Sequence, residues 1–150
     1  MAGIRVTAEN TVAVALVAAT EKTALQVNAP ANQRLRILRI GIFFDGASTT
    51  AVPVLARMFL VTTAGTNTAL TLAKVVSSDS ETLQTTAGEN ATIEGTNSTL
   101  LDQWLIHPQT GLDITYAMGQ ERMVVGGGRL AIKITAPAVV NVRCKLDFEE

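Results

Sequence analysis

His107 and Cys144 are the only histidine and the only cysteine in this chain of 150 residues, so few side chains could perform nucleophilic or metal chemistry. Catalysis of that kind needs a base held beside the reacting group. His107 stands in Ile106-His107-Pro108-Gln109-Thr110-Gly111, which is typical of a strand that ends in a turn. Cys144 lies in an alternating apolar pattern, which indicates a small buried side chain. This pair has no spacing that favours a metal site. We therefore predict that the protein is not an enzyme and has no catalytic residue, metal or cofactor.

The triplet Gly126-Gly127-Gly128 resembles a phosphate-binding loop only in composition. Such a loop lies between a strand and the N-terminus of a helix, where backbone amides point at the anion. Here the triplet leads into another strand pattern, Arg129 to Thr135. We predict a turn that needs positive φ angles.

Composition excludes several classes of function. The chain has 12 basic and 13 acidic residues, a formal net charge of −1, 47% hydrophobic residues and 4% aromatic residues. A balanced charge gives no general attraction to nucleic acid or to anionic lipid. The longest early apolar run, Thr11 to Ala19, is far shorter than a membrane helix, and Met1 to Arg5 does not start a signal peptide. We expect no nucleic-acid partner and no membrane partner.

The C-terminal residues give the clearest strand pattern. Val140, Val142, Cys144, Leu146 and Phe148 alternate with polar residues, which predicts a strand with one face in a core. An earlier run, Leu130 to Thr135, alternates in the same way. Because Ala136-Pro137-Ala138 separates the two runs, we predict a hairpin with a proline-containing turn.

The segment Arg34 to Asp45 is a second strong strand whose alternation changes phase. Leu35 and Ile37 occupy odd positions, whereas Ile40, Ile42 and Phe44 occupy even ones. An extra residue near Leu38-Arg39, a β-bulge, would return both sets to the core. It would also place Arg34, Arg36 and Arg39 together on the outer face. The alternative is a strand that is buried on both sides.

Further runs complete an all-β pattern. They are Val12 to Val17, Thr23 to Val27, Val52 to Thr62, Ala69 to Val76, Leu112 to Tyr116 and Arg122 to Val125, with weaker signals at Glu81 to Thr85 and Ala91 to Glu94. Leu100 to His107 fits a strand or a short helix. About eight to ten strands without crossover helices predict a single-domain antiparallel β-sandwich, in particular a jelly roll, over residues 11–150. Residues 1–10 contain few core residues and are predicted to form an N-terminal arm.

Several stretches of the sequence resemble capsid decoration (cement) proteins of tailed bacteriophages. They are Leu25 to Arg34, Gly41 to Gly46, Ala51 to Arg57, Glu81 to Thr86, His107 to Gly111 and the ending from Gly126 to Glu150. The resemblance implies a β-sandwich or jelly-roll homotrimer on the capsid exterior of the virion, made in the host cytoplasm. It also implies a structural function, in which the protein stabilises the shell by bridging subunits of the major capsid protein. No catalytic residues come with the resemblance.

Two segments are candidates for the interface with the capsid. Arg34, Arg36 and Arg39 could bind capsid carboxylates, or they could form a merely solvated face. In the arm, Ile4, Arg5 and Val6 could add a strand to a neighbouring sheet edge, or the arm could be disordered in the free protein. Two other functions stay open: a different virion component, such as a tail or head–tail connector protein, or a ligand- or carbohydrate-binding β-sandwich.

Overall fold

The computed structural model describes residues 3–45 and 52–150. Within these residues the chain has thirteen β-strands and no helix. The strands are β1 (Arg5–Glu9), β2 (Val14–Leu16), β3 (Glu21–Asn28), β4 (Leu35–Asp45), β5 (Val54–Val61), β6 (Thr66–Leu70), β7 (Ala73–Lys74), β8 (Thr86–Ile93), β9 (Asn97–Ile106), β10 (Leu112–Thr115), β11 (Arg122–Val124), β12 (Arg129–Thr135) and β13 (Val140–Glu149).

The strands form two antiparallel sheets, so the predicted all-β sandwich is confirmed. Sheet I has the order β10-β4-β13-β1-β7, with β11 also paired to β4 and β2 also paired to β13. Sheet II has the order β6-β8-β3-β12-β5-β9. We expected about eight to ten strands. The larger number in the described residues arises because β2, β7 and β11 are only two or three residues long.

The core lies between the two sheets and is built from alternate residues of each strand. Sheet I contributes Ile40, Ile42 and Leu146, and sheet II contributes Leu25 and Ile132, all of which are fully buried. The branched aliphatic side chains of this core fit a pleated surface well. Cys144 belongs to the same core, as its alternation predicts.

The two C-terminal strands exist, but the predicted hairpin between them is wrong. β12 pairs with β3 and β5 in sheet II, whereas β13 pairs with β1, β2 and β4 in sheet I. The segment from Ala136 to Val139 therefore crosses from one sheet to the other. Alternation shows that each strand has one face in the core. It does not distinguish two neighbours in one sheet from two strands that face each other across a sandwich.

The predicted bulge in β4 is confirmed. Opposite β13, Asp147 pairs with Arg39 and Phe148 pairs with Ile37, which leaves Leu38 as the extra residue. Leu35 and Ile37 before the bulge, like Ile40 and Ile42 after it, are fully buried. The bulge therefore keeps both halves of the strand facing the same core.

The predicted N-terminal arm is wrong for the residues that the structure describes. Arg5–Glu9 form β1, which lies between β13 and β7 within sheet I. Val6 and Ala8 are fully buried, and Ile4 is nearly so. Few large apolar residues suffice here because a strand between two neighbours gains its stability from backbone pairing and from one buried face. Residues 3–10 thus do not form a unit separate from the sandwich.

Most of the other predicted strands correspond to observed ones. Leu100 to His107, which fitted a strand or a helix, lies in β9 except for His107. The single run Ala69 to Val76 is divided between β6 and β7, which belong to different sheets. Ala91 to Glu94 covers the end of β8, whereas Glu81 to Thr85 forms no strand.

Candidate protein interface

The outer face of sheet I carries the arginines that the sequence singles out. Arg36 and Arg39 project from β4 on the side away from the core, as the bulge predicts. On the same face, Asp147 and Glu149 of β13 lie opposite Arg39 and Arg36. Asp113 of β10 lies beside them. Cations and anions therefore alternate across three neighbouring strands.

Arg36 and Arg39 already have carboxylate partners within the chain. Arg36 donates to Glu149, and Arg39 donates to Asp113 through two nitrogens. Hydrogen bonds from Arg36 hold the pKa of Glu149 below its usual range, and Arg39 does the same for Asp113. Pairing of this kind neutralises much of the charge that two of the three candidate arginines could offer to a partner.

Arg34 differs from the other two arginines. It precedes β4 and is exposed. Among residues 3–45 and 52–150, no carboxylate lies within ion-pair distance of its guanidinium. Arg34 lines a shallow depression together with Arg36, Met123 and Glu149. Of the three arginines, Arg34 is therefore the one with the most charge left for a partner.

The three candidates in the N-terminal segment, Ile4, Arg5 and Val6, differ in their burial. Ile4 and Val6 face the core and cannot fill pockets on another protein while β1 stays in the sheet. Arg5, between them, is exposed on the outer face of sheet I. Backbone hydrogen bonds in both directions join Ile4 to Glu150, the last residue of the chain.

The residues that could have done chemistry serve the fold. His107 follows β9 in a turn, where its Nδ1 accepts from the Gln109 N–H and its carbonyl accepts from Thr110. Burial raises the pKa of the Cys144 thiol and so disfavours the thiolate. Gly127 has a φ of 75° in the turn before β12, as the glycine triplet predicts. In the described part of the chain, no three His, Cys, Asp or Glu side chains are placed to hold a metal ion.

The edge strand β9 offers a second candidate interface, which the sequence pattern does not indicate. β9 is the last strand of sheet II, and within residues 3–45 and 52–150 its only strand partner is β5. Leu105 is 73% exposed and Leu100 is 44% exposed. Leu55, Gln103, Trp104 and Leu105 line a shallow groove there. In the sequence, Leu100 to His107 fits either a strand or a short helix. A free edge is defined by the pairing of strands, so it could not be identified there.

Asp102 of β9 joins this edge to sheet I. It accepts two hydrogen bonds from Arg122, at 2.7 and 2.8 Å, and one from the Tyr116 hydroxyl at 3.0 Å. The hydrogen bond from Arg122 is the main cause that lowers the pKa of Asp102. Burial and the hydrogen bond to Asp102 raise the pKa of Tyr116. The cluster therefore closes one open side of the sandwich with polar side chains.

The opposite side of the sandwich is closed by Asn10 and Glu89. The Asn10 side chain donates to the Glu89 carboxylate and to the Ala24 carbonyl, and accepts from the Cys144 backbone N–H. Glu89 also accepts from the backbone N–H of Thr11. Asn10 and Glu89 are both buried. No short-range sequence signal links them, because 79 positions separate them.

Lys133 forms a third polar cluster, on the outer side of sheet II. It is 2% exposed, and its Nζ lies 3.1 Å from a Glu94 carboxylate oxygen and 2.9 Å from the Gly95 carbonyl. Glu94 also accepts from the backbone N–H of Thr23. The segment between β8 and β9 is thereby held against β12 and β3.

No protein-family model matches the chain, and no curated protein or solved structure matches it significantly. No helix in the described residues is long and apolar enough to cross a membrane.

Proposed function

We propose that this protein is a structural virion protein that binds the outer surface of a tailed-bacteriophage capsid and bridges major capsid protein subunits. The proposal starts from the resemblance of several sequence stretches to phage decoration proteins. It is consistent with an antiparallel sandwich whose potentially reactive side chains, His107 and Cys144, are used in a turn and in the core.

The observation that carries the proposal is the pairing of β1 with β13 in sheet I, together with the contacts of Glu149 and Glu150. β1 and β13 pair over five residues, from Arg5 opposite Glu149 to Glu9 opposite Lys145. Gly3 donates to the Glu149 carboxylate, and the Glu150 carboxylate accepts from the backbone N–H groups of Gln84 and Thr85. A protein that ties a shell together must stay folded under load. The backbone and side-chain contacts of β13 with β1 and with Gln84 and Thr85 support such a role.

We further propose that the sandwich is a jelly roll. When β1 and β2 count as one strand, and β10 and β11 as another, β6–β8 form an insertion and eight strands remain. These pair first with last (β1/β2 with β13), second with seventh (β3 with β12), third with sixth (β4 with β10/β11), and fourth with fifth (β5 with β9). Such pairing is expected of one long antiparallel ribbon rolled into two sheets, and viral capsid domains commonly use this fold.

In this proposal the protein acts as a homotrimer on the capsid exterior, with Arg34 and Arg5 as candidate contacts to capsid carboxylates. Both side chains are exposed, and they lie at the end of the molecule where β1 and β4 begin. Many copies repeated on a symmetric shell allow weak individual contacts to add up to firm attachment.

The proposal is tested by quantifying the protein in purified particles of the phage that encodes it. A decoration protein will be present in an amount comparable with that of the major capsid protein. A tail or connector protein will be far scarcer, and a ligand-binding module that is not part of the virion will be absent. Either of the last two results would exclude the decoration function.

A further inference from the structure

The outer edge of β9 lacks the devices that usually protect a sheet edge. Natural proteins place lysine, proline or very short strands at such edges, because unpaired N–H and C=O groups attract other strands. β9 is ten residues long, and Asn97–Ile106 contains no proline and no basic residue. Its one charged side chain, Asp102, is already paired with Arg122. The edge is therefore suited to pairing with another strand that carries little charge.

Exposed leucines lie on one face beside this edge. Leu100 is opposite Phe59 and Leu105 is opposite Leu55, on the side of sheet II away from the main core. Both leucines are large exposed apolar residues. Exposed apolar side chains next to a free edge indicate a protein contact rather than a solvated surface.

The bulge at Leu101 makes β9 complementary to itself. Opposite β5, Asp102 pairs with Met58 and Leu100 pairs with Phe59, so Leu101 is an extra residue. In an antiparallel pair of two β9 strands centred on Gln103, Asp102 lies opposite Trp104 of the second copy. Leu101, as the extra residue, has no partner in this register. The next pair therefore joins Leu100 to Leu105 of the second copy. The leucine pair occurs on both sides of the centre, and its members share a face only because of the bulge.

We propose that β9 pairs antiparallel with β9 of a second copy of this chain, with Gln103 on the two-fold axis. Such an interface is isologous, so each leucine pair forms twice. Backbone hydrogen bonds along the joined edges extend sheet II across the two molecules.

The loop between β10 and β11 fits the same arrangement. Tyr116 and Arg122, at its two ends, both bind Asp102, which is one residue from the proposed axis. Between them, Met118 is 94% exposed, the highest value among the large apolar residues of the described chain. Because both ends of the loop are bound to Asp102, pairing of β9 would bring the two copies of this loop towards each other.

The inference does not depend on attachment to a capsid. The β9 contact joins two copies of the chain. If the chains also form trimers, the β9 contact links neighbouring trimers. The mass in solution is then a multiple of the mass of two chains. A failure of β9 pairing would leave the decoration function untouched, and absence from virions would leave the pairing untouched.

Cysteine cross-linking tests both the pairing and its register. Directly opposed residues of neighbouring antiparallel strands have Cα atoms close enough for a disulfide. Gln103→Cys will therefore give covalent dimers under mild oxidation. Leu105→Cys alone will not, whereas the double variant Leu100→Cys/Leu105→Cys will. Cys144 is buried and does not compete. Val139→Cys is the matched control for chance collisions, because Val139, between β12 and β13, is as exposed as Leu105.

The proposal is overturned if Gln103→Cys forms dimers no faster than Val139→Cys. It is also overturned in its register if Leu105→Cys alone cross-links as well as the double variant. As a second readout, Leu105→Lys will halve the mass measured by light scattering and leave the thermal unfolding temperature close to that of the parent. An unchanged mass for a folded Leu105→Lys protein would contradict the pairing.

Discussion

Asn10, just after β1 in sheet I, donates a 2.9 Å hydrogen bond to the carboxylate of Glu89 in β8 of sheet II. The same Asn10 side chain also donates to the Ala24 carbonyl and accepts from the Cys144 backbone N–H. A buried side chain thus satisfies polar groups on both sheets at once. Networks that are fully satisfied in this way rigidify a core, and they are costly to break.

Replacing Asn10 will therefore destabilise the sandwich strongly. Asn10→Ala leaves the buried Cys144 N–H without this acceptor and removes one of the hydrogen bonds to the buried Glu89 carboxylate, and a buried group left unsatisfied costs roughly 1–3 kcal/mol. We expect the free energy of unfolding to fall by about 3 kcal/mol in chemical denaturation. Asn32→Ala, an exposed asparagine in a turn, is the control and should change it by less than about 0.5 kcal/mol. Equal effects of the two variants would show that the network contributes nothing specific.

Lys133 provides a second prediction about a buried charge. Lys133→Ala removes the buried cation that pairs with Glu94 and donates to the Gly95 carbonyl, and the loss of hydrogen bonding by a charged group typically costs about 1.5–3 kcal/mol. The double variant Lys133→Met/Glu94→Gln removes both charges and should be more stable than Lys133→Ala. Denaturation of the two variants side by side measures the difference. A double variant that is less stable than Lys133→Ala would contradict this account of the cluster.

We expect the ion pair between Asp102 and Arg122 to stabilise the folded protein less in acid than at neutral pH. Its pKa is lowered in the folded protein, mainly by hydrogen bonding from Arg122, so folding favours the ionised carboxylate. The resulting stabilisation is present above the pKa of an unfolded aspartate, about 4. It is lost as the pH falls through the lower folded value. Asp102→Asn should be less stable than the parent at pH 7, and the difference should shrink as the pH falls below about 4. A stability difference that does not change with pH would argue against this coupling.

Substitution of Val6 tests whether the N-terminal segment is held in sheet I as strand β1. Val6 is fully buried in a strand with neighbours on both sides, so Val6→Ala should lower the free energy of unfolding by about 2 kcal/mol. Arg5→Ala, which changes an exposed neighbour in the same strand, should have little effect. Thermal unfolding distinguishes the two. A flexible arm would instead tolerate both substitutions equally.

The sequence predicts the strands better than their pairing. Alternation at Val140 to Phe148 identifies β13, and the phase change at Leu38 identifies the bulge, because each depends on nearby residues. The false hairpin and the false arm have a common cause. Whether β12 lies beside β13 or faces it, and whether β1 has neighbours, depends on partners far away in the sequence.

The candidate interfaces show the same limit. Charge and phase place Arg36 and Arg39 on an outer face, but their partners Glu149 and Asp113 become visible only in the assembled sheet. The free edge of β9 likewise exists only because β5 is its sole strand partner in the described residues. Local patterns thus identify which residues face outwards, and long-range pairing decides which of them stay available to a partner.

The arginines give a prediction about attachment itself. Arg34→Gln should weaken binding to capsids and reduce its dependence on salt, because an exposed cation that has no carboxylate partner among the described residues can bind carboxylates of the shell. Arg36→Gln, whose side chain is already paired with Glu149, is the matched control. Cosedimentation with capsids at several salt concentrations measures both. Indistinguishable binding curves for the parent and Arg34→Gln would remove Arg34 from the interface.

Binding of the purified protein to capsids that lack it tests the central claim most directly. The account predicts saturable binding to the outer surface, in a fixed ratio to the major capsid protein, together with a higher temperature of capsid disruption. Absence of binding, or binding of a few copies at one vertex without stabilisation, would contradict the proposed decoration function.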